Sequence, residues 1–287
     1  VGASQGFLYV RGEYEFIAPH LLEVLAQRRQ TGWQGRDIGG SEPAFDIELH
    51  LGAGAYVCGE ETPLLDSLGG GRGQPRLKPP FPAVAGLYAS PTVVNNIETI
   101  ASVPYIVGNG SSWFRQFGTE KSPGFKVWAI SGHVNRPGIY EAPLGTTMAE
   151  LLDYAGGMRD GRSVKFWLPG GSSVPLLLDE HLDLPLTYEA IAEAGSMLGT
   201  GTPMLFDDTT SVVKAITRWL EFYKHESCGK CTPCREGTGW MYRIMQRMVK
   251  GEAEIEEIDM LLDIGSEIEG HTICAHGDAS AWPIQGL

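Results

Sequence analysis

The stretch Glu226-Ser-Cys-Gly-Lys-Cys-Thr-Pro-Cys-Arg-Glu-Gly-Thr238 decides the fold of the C-terminal part of this chain. Two residues separate Cys228 from Cys231 and Cys231 from Cys234, so the three sulfurs come to one side of a tight loop. A fourth cysteine, Cys274, lies far along the chain and must fold back onto this loop. Three local thiolates with one remote thiolate are typical of an iron–sulfur site. The spacing alone therefore predicts an iron–sulfur cluster.

Other uses of these cysteines fit the pattern less well. A zinc site could combine two of them with His271 or His276, but zinc ligands usually occur as pairs rather than as a triplet. A redox-active dithiol would leave the third cysteine of the loop without a role. The total of five cysteines is odd, which argues against a secreted disulfide framework. Cys58 is interpreted as a buried cysteine without a ligand.

The sequence around the loop predicts helices. Apolar residues recur at three- and four-residue intervals in segments 212–223, 240–248 and 255–268, and another helix is expected to start near Asp278. The methionines in these segments are interpreted as core residues. Residues 207–287 are therefore predicted to form a helical bundle that holds the cysteine loop.

The first part of the chain, residues 1–110, has a mixed pattern that predicts an α/β domain. A helix is expected from Ala18 to Gln30, and an alternating strand at 45–50 runs into a strand-to-helix turn. The turn lacks the third glycine of a dinucleotide-binding fingerprint, and the chain has no Walker A pattern. A proline-rich stretch follows at 74–82 and is interpreted as a fixed surface loop.

Residues 111–206 are predicted to form a small β-grasp-like α+β domain. Short strands are expected at 126–130 and 164–168, and Thr147 and Glu150 between them have the spacing of a capping box at a helix start. The sequence brings no obvious group of titratable residues together in this domain. A scaffolding or docking role is therefore expected for it.

Composition excludes two classes of protein. The 287 residues contain 22 basic and 35 acidic residues, a net charge of −13, whereas a nucleic-acid binder needs a basic face. No apolar run reaches the length of about 18 residues that a membrane span requires. No signal peptide is visible and the thiols are free, so an intracellular protein is expected. The chain does not begin with Met and is expected to start after its natural beginning.

Four segments, in order along the chain, carry a family resemblance. They are GAGAYVCGEETPLLDSLGGGRGQPRLKPPFPAVAGLY (52–88), PTVVNNIETIASVP (91–104), ESCGKCTPCREGT (226–238) and HTICAHGDASAWPIQG (271–286). Together they resemble the flavin-containing, NADH-oxidising subunit, of the 51-kDa type, of respiratory complex I. Diaphorase subunits of NAD-linked hydrogenases and formate dehydrogenases share most of these motifs and remain the alternative.

The resemblance implies cofactors and site residues. FMN would contact Tyr56, Gly59, Glu60, Asn95, Asn96 and Thr99. NADH would contact Glu61, Lys78 and Phe81, with the Phe81 ring stacked on adenine and Glu61 only positioning the dinucleotide. Cys228, Cys231, Cys234 and Cys274 would be the ligands of a [4Fe–4S] cluster. No residue is expected to act as a general acid or base, because hydride transfer to a flavin needs none.

Purely structural roles are also open to several of these residues. Glu60 and Glu61 could simply place acidic groups in the first turn of a helix, where they complement its dipole. The Phe81 ring could simply pack beneath the proline-rich loop. The resemblance also implies a glycine-rich flavin loop before Val1, so the chain is expected to be cut at both ends. His276 stands where many relatives have an apolar residue, and it is predicted to tune the cluster potential.

The resemblance implies a complete electron-transfer function. NADH would give a hydride to FMN, and electrons would pass singly to the cluster and on through complex I to quinone. Expected partners are a thioredoxin-like [2Fe–2S] subunit and a large iron–sulfur subunit of the peripheral arm. The protein would lie at the cytoplasmic face of a bacterial inner membrane or on the mitochondrial matrix side. Two further classes stay open: a cluster-bearing scaffold without flavin and a zinc-containing interaction module.

Overall fold

The computed structural model describes residues 2–40 and 44–287. The chain divides into two compact units, Val1–Val94 and Asn95–Leu287. The first unit contains the turn and the proline-rich stretch, and the second contains the small domain and the helices that carry the cysteines.

The first unit is built on a parallel pair of strands. Strand β1 (Gln5–Val10) pairs in parallel with β2 (Asp46–Leu51). Parallel neighbours need a crossover connection, and helix α1 (Ala18–Gln30) supplies it. The predicted bounds of α1 match the observed ones. The helix is tied to β2 through Arg29, whose Nε lies 3.0 Å from Asp46 Oδ1.

Two short helices follow β2 in the first unit. A single 3-10 turn (Tyr56–Gly59) leads into α2 (Glu61–Leu68), and the proline-rich stretch ends in α3 (Pro82–Ala85). The Cys58 side chain is buried against Gly73, where an added Cβ would lie only 2.4 Å from the sulfur. The close approach of backbone to thiol explains why a glycine occupies position 73.

The second unit begins with two helices, α4 (Ile97–Asn109) and α5 (Ser111–Phe114), and continues into a five-stranded mixed sheet. The strands are β3 (Phe125–Gly132), β4 (Gly138–Pro143), β5 (Val164–Leu168), β6 (Leu177–Leu178) and β7 (Met204–Asp207). Their order across the sheet is β4-β3-β7-β5-β6. The pairing of β3 with β7 is parallel, and the other three pairings are antiparallel.

Helix α6 (Met148–Tyr154) packs on one face of the sheet, and α7 (Tyr188–Glu193) follows β6. The predicted capping box is confirmed, because the Thr147 Oγ1 accepts the Glu150 N–H at 3.2 Å and the Glu150 carboxylate accepts the Thr147 N–H at 2.8 Å. These reciprocal bonds satisfy two backbone donors that the first turn would otherwise leave free.

Four helices complete the second unit: α8 (Val212–Glu226), α9 (Thr232–Lys250), α10 (Glu257–Ile268) and α11 (His276–Gln285). Methionines Met241 and Met245 are fully buried, which confirms their interpretation as core residues. Trp240 and Ile255, counted in the same apolar pattern, are instead 50% and 74% exposed. Ile255 lies before α10 begins, and Trp240 falls on the outer side of α9.

Strand β5 separates two hydrophobic cores. Trp167 packs into the core that contains α6, whereas Phe166 and Leu168 pack into the core of the helical bundle. Successive side chains of a strand point to opposite faces, so one strand serves both cores. The helical bundle that carries the cysteines is thereby fixed to the sheet.

Candidate cluster and nucleotide sites

The cysteine loop lies between α8 and α9. Cys231 is the N-cap residue of α9, and Cys234 sits in the first turn of that helix, after Pro233. Proline suits the first turn because its fixed φ is helical and its missing N–H is not needed there. Gly229 turns the loop with a φ of 77°, a conformation that glycine adopts without a steric penalty. The loop therefore delivers its sulfurs to the positive end of a helix dipole.

Cys274 lies close enough to the loop for the charges of its three cysteines to act on it, and we call Cys228, Cys231, Cys234 and Cys274 the thiol site. Burial, the largest cause, acts together with the charges of the three loop cysteines to raise the pKa of Cys274 to about 11, although a hydrogen bond from the His276 backbone acts in the opposite direction. Burial likewise raises the pKa of Cys234. Without metal, Cys234 and Cys274 are thus favoured as neutral thiols, and iron would supply the positive charge that stabilises their thiolates. The donor set fits an iron–sulfur cluster.

Hydrogen bonds reach the sulfurs of Cys231, Cys234 and Cys274, the last from the backbone of His276. The backbone N–H of Ile273 points to Cys231 Sγ at 3.4 Å, and Ser227 Oγ lies 3.3 Å from Cys234 Sγ. Arg235 braces the loop, since its Nη1 donates to the Gly229 carbonyl at 2.7 Å.

For a single metal ion, the arrangement of side chains gives a different result from the donor chemistry of the cysteines. Over residues 2–40 and 44–287, no three His, Cys, Asp or Glu side chains form a group suited to a single metal ion.

His276 is buried at the start of α11. Its Nε2 lies 3.0 Å from the Tyr223 carbonyl oxygen, so the ring joins α11 to the last turns of α8. Burial lowers the pKa of His276, which favours the neutral ring with Nε2 as the donor. The predicted effect of His276 on the cluster potential stays a prediction.

In the first unit, Glu60, Glu61 and Lys78 come together, and we call them the carboxylate–lysine trio. Lys78 Nζ lies 3.0 Å from Glu60 Oε1 and 2.6 Å from Glu61 Oε1. These two bonds raise the pKa of Lys78, Glu61 contributing more than Glu60. Burial would raise the pKa of Glu60, but hydrogen bonds from Thr62 and Lys78 outweigh it and lower that pKa.

The purely structural role considered for Glu60 is also realised, because its carboxylate caps α2. Glu60 Oε2 accepts the backbone N–H of Thr62 at 2.9 Å. The Thr62 hydroxyl donates to the same oxygen and accepts the backbone N–H of Arg76 at 3.0 Å. Arg76 also pairs with Asp66 of α2 at 2.7 Å. These contacts hold the proline-rich stretch against α2 and so place Lys78 beside the two carboxylates.

Sequence reasoning missed both Thr62 and Arg76. A glutamate is not a common N-cap residue, so nothing in the pattern indicated that Glu60 would cap α2 and recruit them. The aromatic rings predicted to contact cofactor and substrate are accessible in this unit, Tyr56 at 38% and Phe81 at 56% exposure. Such exposure does not match a role for Phe81 in ordinary packing.

The remaining predicted flavin residues lie in the second unit, at the start of α4. Asn96 is the N-cap residue, and its Oδ1 accepts the N–H groups of Glu98 at 2.8 Å and Thr99 at 3.4 Å. Glu98 fixes the helix to β3, because its carboxylate accepts the Val127 N–H at 2.7 Å and pairs with Lys126 at 3.1 Å. The predicted flavin set is therefore divided between the two units.

Three protein-family models match parts of the chain. The Nuo51 FMN-binding domain matches residues 1–105, the SLBB domain matches 127–177, and the NADH-ubiquinone oxidoreductase-F iron-sulfur binding region matches 214–287. The predicted cofactors, FMN and an iron–sulfur cluster, are confirmed at this level. The individual contact residues remain predictions.

Curated relatives match along almost the whole chain. The NADH-quinone oxidoreductase F subunit of Mycobacterium tuberculosis is 61% identical over 99% of this chain and 64% of its own length. That of Rickettsia felis is 51% identical over 100% of this chain and 68% of its own length. The chain belongs to the family of NADH-quinone oxidoreductase F subunits. The predicted resemblance is thereby confirmed, and the chain spans 64% of the length of the mycobacterial members.

Solved structures with the same fold include a chain of an NAD+-reducing [NiFe]-hydrogenase. In its H2-reduced state that chain aligns with a TM-score of 0.89 and 35% identity, covering 100% of this chain and 48% of the hydrogenase chain. The air-oxidized state gives a TM-score of 0.87 at 34% identity. Within the described parts of the chain, no helix is both long and apolar enough to span a membrane.

Proposed function

We propose that this chain belongs to the NADH-oxidising subunit of a respiratory NADH:quinone oxidoreductase. The observation that carries the proposal is the thiol site, formed by a loop at the start of α9 and a turn before α11, in a chain whose first 105 residues match an FMN-binding domain. When bound, FMN accepts a hydride from NADH and releases electrons singly, and an iron–sulfur cluster takes them one at a time.

The thiol site would hold the [4Fe–4S] cluster through Cys228, Cys231, Cys234 and Cys274. The positive end of the α9 dipole and the Ile273 N–H both favour thiolate charge at this place. Because the sulfurs are half-buried or buried, a cluster held here is shielded from water on the side of the bundle.

The carboxylate–lysine trio, with Phe81, would bind the dinucleotide. Lys78 supplies a cation for a phosphate or ribose oxygen, and the carboxylates of Glu60 and Glu61 hold its ammonium group in place. Glu61 would accept hydrogen bonds from ribose or amide groups of NADH. The exposed Phe81 ring offers a stacking face for adenine.

Flavin contacts are proposed for Tyr56, Gly59 and Glu60 in the first unit and for Asn95, Asn96 and Thr99 in the second. Asn96 uses its carbonyl oxygen as the helix cap, which leaves its amide N–H2 to donate to a cofactor oxygen. None of these residues is required to exchange a proton with substrate.

The proposal extends to architecture and partners. We infer an α/β flavin domain at 1–110, a β-grasp-like domain at 111–206 and a helical bundle at 207–287, in agreement with the three family matches. Electrons would leave for a thioredoxin-like [2Fe–2S] subunit and a large iron–sulfur subunit of a peripheral arm. This arm would face the bacterial cytoplasm or the mitochondrial matrix.

The test uses the full-length protein purified with its natural partners. We expect bound FMN, iron and acid-labile sulfide, and NADH oxidation with an artificial acceptor such as ferricyanide. A preparation that contains no flavin, or zinc in place of iron and sulfide, would overturn the proposal.

A diaphorase subunit of an NAD-linked hydrogenase is the second candidate, favoured by the TM-score of 0.89 to a chain of an NAD+-reducing hydrogenase. The two candidates share the NADH half-reaction and differ in the other substrate. NAD+ reduction by H2 in the purified complex would identify the hydrogenase, whereas quinone reduction by NADH identifies the oxidoreductase.

A further inference from the structure

We propose that Ser227 is a positioning residue that raises the reduction potential of the cluster by donating its hydroxyl hydrogen to the sulfur of Cys234. The inference rests on the proposed function, because it requires a cluster held by the thiol site. It concerns a side chain outside the predicted ligand set.

The direction of this hydrogen bond follows from the neighbours of the hydroxyl. Ser227 Oγ lies 3.3 Å from Cys234 Sγ and also 3.3 Å from the backbone nitrogen of Gly229. An N–H group can only donate, so Gly229 occupies a lone pair of the oxygen and leaves the hydroxyl hydrogen for the sulfur. A cysteine thiolate bound to iron has no proton of its own and can only accept.

The backbone that carries the hydroxyl is held on both sides of Ser227. The Ser227 backbone N–H donates to the Tyr223 carbonyl at 3.0 Å, which ties the residue to the last turn of α8. On the other side, Arg235 of α9 donates to the Gly229 carbonyl at 2.7 Å. The donor is therefore in place before the cluster changes its charge, and reduction requires no reorientation of Ser227.

The effect on the potential follows from charge. One electron enters the cluster on reduction, and part of its charge falls on the ligand sulfurs, while no proton leaves Ser227. A donor to a ligand sulfur stabilises the reduced state more than the oxidised state and so raises the potential. The Ile273 N–H at Cys231 acts in the same sense, but a side-chain substitution cannot remove it.

The experiment is a redox titration of the cluster by EPR in the intact complex, comparing the wild type with Ser227→Ala and Ser227→Thr. Thr238→Val is the matched control, because the Thr238 hydroxyl donates at 2.8 Å to the carbonyl oxygen of Cys234 and not to its sulfur. In Ser227→Ala the equilibrium constant for one-electron reduction should fall about tenfold, a midpoint about 59 mV lower. Ser227→Thr keeps the hydroxyl and should retain the wild-type potential.

Two outcomes overturn the role of Ser227: a Ser227→Ala shift no larger than that of Thr238→Val, or a Ser227→Thr shift as large as that of Ser227→Ala. Should Ser227→Ala fail to assemble the cluster, Ser227→Cys replaces it. The weaker thiol donor must then lower the potential, and an unchanged potential overturns the proposal. Wild-type protein without iron and sulfide would contradict the proposed function itself. A normal cluster whose potential is unchanged in Ser227→Ala would contradict only the proposed role of Ser227.

Discussion

The thiol site and the carboxylate–lysine trio are assembled in different ways. Three of the four sulfurs come from seven consecutive residues, and the loop is braced by backbone and side-chain hydrogen bonds. The trio joins the start of α2 to the proline-rich stretch, and its side chains are 27% to 36% exposed. The first site is mostly local in sequence, with sulfurs that are half-buried or buried, whereas the second depends on ion pairs that water reaches.

This difference fits the proposed roles. A cluster would be a permanent group whose ligands gain from a fixed, covered arrangement. A dinucleotide would have to enter and leave, so its proposed site needs exposed groups that can exchange one partner for another. The two sites should therefore respond differently to substitution, and four predictions test that expectation.

The largest effect is expected at the thiol site. Cys234→Ser should lose most of the iron and acid-labile sulfide, because the buried sulfur at the start of α9 is a proposed ligand. Cys58→Ser is the matched control, since Cys58 is equally buried but lies in the first unit. Equal loss of iron in both variants would mean that the effect comes from general destabilisation.

A smaller effect is expected in the trio. Lys78→Met keeps much of the side-chain length but removes the ammonium group, and the KM for NADH should rise about tenfold, corresponding to ~1.4 kcal/mol. The cluster content should not change. Lys250→Met, at the end of α9, provides the control. An unchanged KM for NADH together with loss of the cluster would contradict the assignment of Lys78 to the nucleotide site.

A third prediction concerns the helix that carries Asn95 and Asn96. Glu98→Ala removes the bonds to Val127 and Lys126 and should lower the free energy of unfolding by about 1 kcal/mol. Flavin content should fall as well, because the start of α4 loses its attachment to β3. Urea unfolding and flavin fluorescence measure the two quantities. Glu120→Ala is the control, and an equal loss of flavin there would contradict the prediction.

The smallest effect is a pH dependence at Glu60. Its pKa is lowered in the folded chain, so the ionised carboxylate stabilises the fold above the ordinary pKa of 4.5. That contribution is lost as the pH falls below 4.5 through the lowered value. The difference in unfolding free energy between wild type and Glu60→Gln should thus be constant from pH 8 to about 5.5 and shrink below 4.5. A difference of equal size at pH 3 and pH 7 would contradict this.

The sequence predicted the cysteine loop at 228–234 and most helices because their signals are local. Cysteine spacing, the Thr147–Glu150 capping box and the three- to four-residue repeat all act over a few neighbouring residues.

Contacts between distant segments were not predictable in this way. Thr62 binds Arg76 only because Glu60 caps α2, and Glu98 reaches β3 from a different predicted domain. The proposed nucleotide contacts rested on the family resemblance, because no spacing rule links Glu61 with Lys78 or Phe81. Ser227 had no signal beyond its place next to Cys228.

The attachment of Glu98 to β3 also sets a limit on how this protein can be dissected. A fragment that ends at residue 110 would keep α4 but lose Lys126 and Val127, the two residues that hold its first turn. Asn95 and Asn96 would then lie at the start of a helix that is no longer bound to β3. Studies of flavin affinity in isolated pieces should therefore retain the sheet, or they will measure a loosened helix instead of the proposed flavin contacts.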